Sequence, residues 1–416
     1  MTTSSRSPGG ASRTALVLAG GAARGAYEVG VVEHVLKHVA ADLGRPVRFD
    51  VLCGTSVGAL NACGLAAYAD EPPAIVADRL VEIWSSLDIR ELVRPDVRGV
   101  LGLGGRFLGR APRVEEASPG RPPAREGGFL DPTGLERLVE KAVPFARIGD
   151  HLAAGHLDAL TVTATHVATG RTVVFVQQRE GAELARWSDP TTVAVPARIE
   201  SCHALASAAV PLLFRAVSID GAWYADGGLR QNVPLSPARR LGASRVLVVN
   251  PRHLATTPLD EGDPAADDAF PGPLFLLGKT LNALLLDRID TDLSRLSSIN
   301  RILEAGTQAY GPGFVEELNR ALGHGPGQGL RPMRAMLVRS SDDIGRAAAA
   351  FVQRPGFARV GGLLGRVLRT LADEGARSES DLLSYVLFDG EFARELIVMG
   401  RADARARHEE LCAFFA

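Results

Sequence analysis

Within residues 14–69 the chain twice runs from a short apolar stretch through a glycine-rich turn into a helical pattern, and this alternation constrains the fold more than any other feature. Residues 14–18 predict a buried strand, 19–25 a tight glycine loop, and 26–41 a helix with apolar periodicity. Residues 49–53 then predict a second strand, 54–58 a sharp turn, and 57–69 a helix of small residues. Two strands joined through a helix run parallel, because the helix carries the chain back to its starting edge. The expected fold class is therefore α/β, a three-layer α/β/α domain around a mainly parallel sheet.

The later chain extends the pattern. A helix is expected over 133–142, strands over 160–165 and 172–177 around a turn at 168–170, and a helix over 199–209 that stops before Pro211. A short strand pair over 218–225 ends in Asp226-Gly227-Gly228, and 244–250 predicts another buried strand. Beyond Pro251 come a linker over 256–273, helices over 274–305, a strand over 334–339 and amphipathic helices over 382–415. We divide the chain into a disordered tail (1–13), a domain of alternating strands and helices (14–250) and a mostly helical extension (251–416). Residues 98–128 carry six arginines against three acids with little periodicity, and are expected to be a lid or mobile loop. Their arginines suit lipid phosphates, and Phe107, Leu108 and Phe129 suit a bilayer surface, so peripheral membrane contact competes there with a plain solvated loop.

Composition excludes several classes. A net charge of −2 argues against a nucleic-acid partner bound through a basic field. Four cysteines without paired spacing imply neither a disulfide framework nor a metal site, and favour a reducing, cytoplasmic setting. No stretch approaches the roughly 18 apolar residues of a membrane span.

Three motifs carry chemistry. Gly54-Thr55-Ser56-Val57-Gly58 fits the GxSxG elbow, in which a strand turns straight into a helix and exposes a serine oxygen. Asp226 follows a short strand and precedes Gly227 and Gly228, which permit close backbone approach. Gly20-Gly21-Ala22-Ala23-Arg24-Gly25 joins a strand to a helix with backbone N–H groups free to meet an anion. Such a loop suits the oxyanion of an acyl-transfer intermediate. It also nearly matches a dinucleotide fingerprint, with Asp42 or Asp50 downstream, although the methyl of Ala22 would crowd a pyrophosphate. A serine normally needs a histidine base, yet none of the later histidines stands in a setting that singles it out.

The order GGAARG, GTSVG, DGG resembles the patatin-like phospholipase family, whose members carry a glycine-rich oxyanion loop, a GxSxG serine and a DGG or DGA aspartate. ASAAVPLLF (206–214), DGGLRQNVP (226–234) and TATHVATGRTVVF (163–175) are similar to family segments, and LLLDRIDTDLSRLSSINRIL (284–303) to bacterial members. The resemblance covers about residues 15–237. It implies Ser56 as nucleophile and Asp226 as its partner in a dyad without histidine. It implies an oxyanion hole from the loop of Gly20, Gly21, Ala22, Arg24 and Gly25 with Val57, the N–H groups of Gly21, Ala22 and Val57 pointing inward. Arg24 would brace the loop or meet a phosphate, and Ala22 stands where the family usually has a third glycine. Because an ordinary aspartate is a weak base at neutral pH, catalysis is expected to lean on the oxyanion hole.

The activity so implied is release of fatty acids from phospholipids or other fatty-acyl esters, of phospholipase A or lysophospholipase type, without metal or cofactor. An esterase, thioesterase or acyltransferase with the same dyad, and a catalytically silent lipid-binding scaffold, are the alternatives. Oligomeric state is not legible.

Overall fold

Leu18 pairs with Gly54 on one side and with Val249 on the other, so the strand leading into the glycine loop lies in the middle of the sheet. The computed structural model describes residues 13–95, 128, 130–182, 187, 189–253, 289–324, 329–375 and 381–416. Residues 1–12 of the expected tail, nearly all of the arginine-rich segment 98–128 together with Phe107, Leu108 and Phe129, the linker 256–273 and the helix start at 274–288 lie outside them, while Arg13 of that tail opens the first strand.

Nine strands form the main sheet among the described residues: β1 (Arg13–Leu18), β2 (Val51–Thr55), β3 (Ala159–His166), β4 (Thr172–Gln178), β5 (Thr192–Pro196), β6 (Val217–Ile219), β7 (Ala222–Asp226), β8 (Ala243–Asn250) and β9 (Arg334–Arg339). Their order is β9-β8-β1-β2-β3-β4-β5, and β9 through β3 are all parallel. The hairpin β3–β4 is antiparallel, as its tight turn requires, and β7 pairs antiparallel with both β3 and β6.

Period-two alternation divides β1 between two cores. Leu16 and Leu18 face the larger one, with residues of α1 (Gly25–His34), α2 (Val57–Ala67) and α3 (Pro73–Ser85). Ala15 and Val17 face the other, with Val246, Val248, Leu235, Ile289 and Leu296. A sheet buried on both faces reads as continuous apolar strands, and β1 and β8 do. The fold is thus the expected three-layer α/β/α arrangement with helices after it.

The chain beyond Pro251 is more than an appended bundle. Its strand β9 extends the parallel sheet beside β8, from Arg245↔Arg334 to Asn250↔Arg339. After α4 (Ser201–Ser207) in the first part of the chain, this later region supplies α5 (Ile344–Val352), α6 (Asp381–Val386), α7 (Gly390–Ala406) and α8 (His408–Phe415). Helix α7 crosses α1 so closely that a Cβ on Gly400 would lie 2.1 Å from the carbonyl oxygen of Tyr27. The Tyr27 hydroxyl donates to Asp403 at 2.9 Å, and Arg401 pairs with Glu33. The helix that begins at the glycine loop is therefore backed by the C-terminal region.

Candidate active site

Parallel strands β1, β2 and β3 all point their C-terminal ends the same way, and the three motifs gather at that edge. β2 ends at Thr55 and α2 begins at Val57, leaving Ser56 alone to make the turn at φ 54° and ψ −127°. A non-glycine residue there stores about 1 to 3 kcal/mol of strain, and the surroundings hold it in place. The Ser56 N–H donates to Ser207 Oγ at 2.8 Å, and that hydroxyl donates onward to the Thr163 carbonyl at 2.6 Å. Gly58 lets α2 pass over the end of β1, since a Cβ would meet the Leu18 carbonyl oxygen at 2.4 Å. Gly54 is the last β2 residue paired with β1.

Asp226 arrives from the antiparallel side. Ala164 of β3 pairs with Asp226, while Thr163 pairs with Thr55, so the register brings the aspartate beside the elbow. Gly227 is needed for that approach, because a Cβ would lie 2.2 Å from the Thr163 carbonyl oxygen. Ser56 Oγ donates to Asp226 Oδ2 at 2.5 Å, and the Gly228 N–H donates to Oδ1 at 2.6 Å. Asp226 is fully buried. Burial pushes its carboxyl up to about 7, against the opposing hydrogen bonds from Ser56 and Gly228. A carboxyl so placed beside Ser56 is better matched to proton transfer at neutral pH than the ordinary aspartate assumed from sequence.

The glycine loop lies against this pair. A Cβ on Gly20 would stand 3.2 Å from Ser56 Cβ. The Gly20 N–H donates to the Asn232 carbonyl at 3.1 Å, and Asn232 Nδ2 returns a bond to the Gly20 carbonyl at 3.3 Å. The N–H of Gly20 is therefore already used. Among the described residues, nothing pairs with the N–H groups of Gly21, Ala22 or Val57. Ala22 holds φ at 48°, a left-handed conformation that favours glycine.

Arg24 is buried and reaches α6. Its Nε donates to Ser384 Oγ at 2.9 Å, and its guanidinium stacks over the Tyr385 ring at 4.3 Å. Of the two uses considered for it, these contacts fit bracing. Gly25 packs on Val57, and beneath them Asn61 Nδ2 donates to the Gly25 carbonyl at 3.1 Å and to Glu28 Oε2 at 2.9 Å. Trp84 Nε1 donates to Asn61 Oδ1 at 3.0 Å. Glu28 is fully buried, which raises its carboxyl well above the ordinary range against the opposing hydrogen bond from Asn61. This network ties the helix of the glycine loop to the helix of the elbow.

None of the nine histidines hydrogen-bonds Ser56 or Asp226 among the described residues. The dinucleotide alternative loses its acid: Asp50 accepts the Thr14 N–H at 2.8 Å at the start of β1, the edge opposite the loop, and Asp42 pairs with His408 at the far end of the helix. Ser207 and Asn232 were not singled out by sequence, although both lie within the motif-like runs 206–214 and 226–234. Ser384, Tyr385, Asn61 and Trp84 carried no signal at all.

A family model described as patatin-like phospholipase matches residues 16–239, which include the glycine loop, the elbow and Asp226. Among curated proteins the chain is similar to a cGAMP-activated phospholipase of Pseudomonas aeruginosa, 30% identical over 222 residues, 53% of each chain. The chain thus spans about half the length of that relative. Among solved structures it is matched with the crystal structure of VipD from Legionella pneumophila, 12% identical with a TM-score of 0.28, covering 90% of this chain and 66% of that one. Among the described residues no helix is long and apolar enough to cross a membrane.

Proposed function

Because the chain belongs to the patatin-like phospholipase family, we propose that it is a serine lipid acyl hydrolase in which Ser56 attacks a fatty-acyl ester and Asp226 manages the proton. The observation that carries this reading is the 2.5 Å bond from Ser56 Oγ to a buried carboxylate whose affinity for protons lies near neutrality. As Oγ bonds to the acyl carbon, its proton passes to Asp226 Oδ2 and the carbonyl oxygen becomes an oxyanion. The N–H groups of Gly21, Ala22 and Val57 receive that oxyanion. Collapse expels the alcohol, which takes the proton from Asp226 and leaves an acyl-serine. Water then attacks with Asp226 as base, and fatty acid departs as Ser56 regains its proton.

The experiment is fatty acid release, followed by mass spectrometry, from mixed-chain phosphatidylcholine vesicles and lysophospholipid micelles by wild type and Ser56→Ala. Each is run with and without a cyclic dinucleotide, since the similar Pseudomonas protein is named for activation by one. Release by wild type alone supports the hydrolase, and the chain released fixes the ester position. Transfer of acyl groups to an added alcohol in preference to water would favour the acyltransferase alternative. Absence of both release and fluorophosphonate labelling of Ser56 would leave the lipid-binding scaffold.

A further inference from the structure

Helix α1 starts at the glycine loop and continues beyond His34 through a π-turn, Val35–Val39, and a last turn to Asp42, about 25 Å along the axis. Through that turn His34, His38 and Asp42 recur every fourth residue. Such turns are frequent at functional sites. The C-terminal helix α8 lies alongside and presents His408 and Cys412, one helical turn apart. His408 Nε2 stands 2.8 Å from Asp42 Oδ2 and 3.5 Å from Cys412 Sγ. The donor atoms of Asp42, His408 and Cys412 all fall within 4.8 Å of one another. Behind them His408 Nδ1 meets His34 Nε2 at 3.0 Å. His34 is only 3% exposed and its Nδ1 has no partner among the described residues, so its ring is committed to His408.

We propose that Asp42, His408 and Cys412 form a binding site for a borderline-soft divalent cation of the zinc type, with water as the fourth ligand and His34 as the group that orients His408. A tetrahedral zinc with nitrogen at about 2.0 Å and thiolate at about 2.3 Å has an N···S edge of about 3.5 Å. The His408–Cys412 separation equals that edge. The corresponding N···O edge is about 3.3 Å, so the exposed Asp42 carboxylate swings out by about 0.5 Å. A thiolate and a carboxylate together neutralise a divalent cation, and a thiolate with an imidazole selects zinc over magnesium or calcium. Ligation through Nε2 requires the ring proton of His408 on Nδ1, where His34 Nε2 accepts it.

The site lies apart from Ser56 and Asp226, and His408 and Cys412 fall outside the residues matched by the family model. The cation would fasten the last helix to α1, the helix that starts at the catalytic loop. That end is already drawn in by Arg45 and Arg245, which donate to the carbonyls of Phe415 and Phe414, and by the edge contact of Phe415 with Phe49.

The test uses full-length, tag-free protein stripped with a chelator and titrated with zinc chloride against a chromogenic zinc indicator. Wild type is expected to take up one equivalent and to melt at higher temperature with zinc but not with magnesium. His34→Gln should weaken binding about 10-fold or more, and Cys412→Ser and His408→Ala by more than that. Cobalt should give a thiolate charge-transfer band that Cys412→Ser lacks and Cys202→Ser retains. No uptake by stripped wild type, or uptake unchanged in Cys412→Ser and His408→Ala, would overturn the site.

Discussion

Arg24 and Ser384 are joined by a 2.9 Å hydrogen bond although 360 residues of chain separate them. The arginine belongs to the loop that faces Ser56, and the serine to a helix outside the family-matched residues. With Tyr385 stacked on the same guanidinium, α6 acts on the loop from behind. Ser384→Ala is expected to lower kcat about 10- to 150-fold, since a hydrogen bond to a charged group contributes about 1.5 to 3 kcal/mol, and Tyr385→Leu about 2- to 30-fold, since a ring stacked on a guanidinium contributes about 0.5 to 2 kcal/mol, each with little change in KM. Neither should reduce activity further in an Arg24→Ala background, because both act through that side chain. Additive losses in the double variants would assign α6 a general structural role instead.

Removing either member of the proposed dyad should end turnover and spare the fold. Ser56→Ala and Asp226→Asn are expected to lose at least about 10⁴-fold in kcat, as when a nucleophile or its partner is removed elsewhere. Both should keep the wild-type circular dichroism spectrum, and Asp226→Asn should melt no lower than wild type near pH 7, where it no longer buries a charge. Substantial residual release by either variant would refute the assignment.

Much of this was legible in the sequence for physical reasons. The alternation of apolar runs, glycine turns and helical periodicity at 14–69 is local, and β1, β2, α1 and α2 all form there, with β2 ending two residues later than expected because the strand runs on to the elbow. Ser56 and Asp226 announced themselves through neighbouring glycines that a tight approach demands. The supports did not, because they depend on pairing between distant segments. Ser207 under the elbow, Asn232 under Gly20, and Ser384 and Tyr385 under Arg24 are ordinary residues until the register of β3, β7 and α6 is known. The edge position of β9 beside β8 is likewise a non-local fact.

With Asp226 as the proposed base, activity and stability are expected to respond to pH in opposite directions. Its carboxyl titrates near 3.8 when unfolded and about 7 in the folded chain, so between those values the folded state holds the proton more tightly. Its contribution to stability is therefore full below about pH 4 and is lost as pH rises through about 7. The catalytic base, by contrast, exists only once that proton has left, so kcat/KM should climb through about pH 7. Stopped-time fatty acid release and urea unfolding across pH 4–9 measure both, and Asp226→Asn should flatten the stability curve. A rate that falls over the same interval would remove Asp226 from the role of base.

Ala22 offers the most direct test of how the loop serves the oxyanion. It holds φ at 48° with a methyl group attached, and nothing among the described residues takes its N–H group or that of Gly21. Glycine adopts that conformation without steric cost, so Ala22→Gly relieves about 1 kcal/mol of strain in the folded state while adding a comparable entropy to the unfolded one. The melting temperature should consequently move little. Bulkier Ala22→Val cannot relax in the same way, because a β-branched residue is more strongly excluded from positive φ. It should force the loop to rotate, withdraw the N–H groups of Gly21 and Ala22, and cost about 10²- to 10³-fold in kcat, the usual effect of losing one oxyanion donor. Fluorophosphonate labelling rates should fall in step, since phosphonylation of Ser56 needs the same donors. If Ala22→Val labels and turns over as fast as wild type, the oxyanion is received elsewhere and the loop only packs against the elbow.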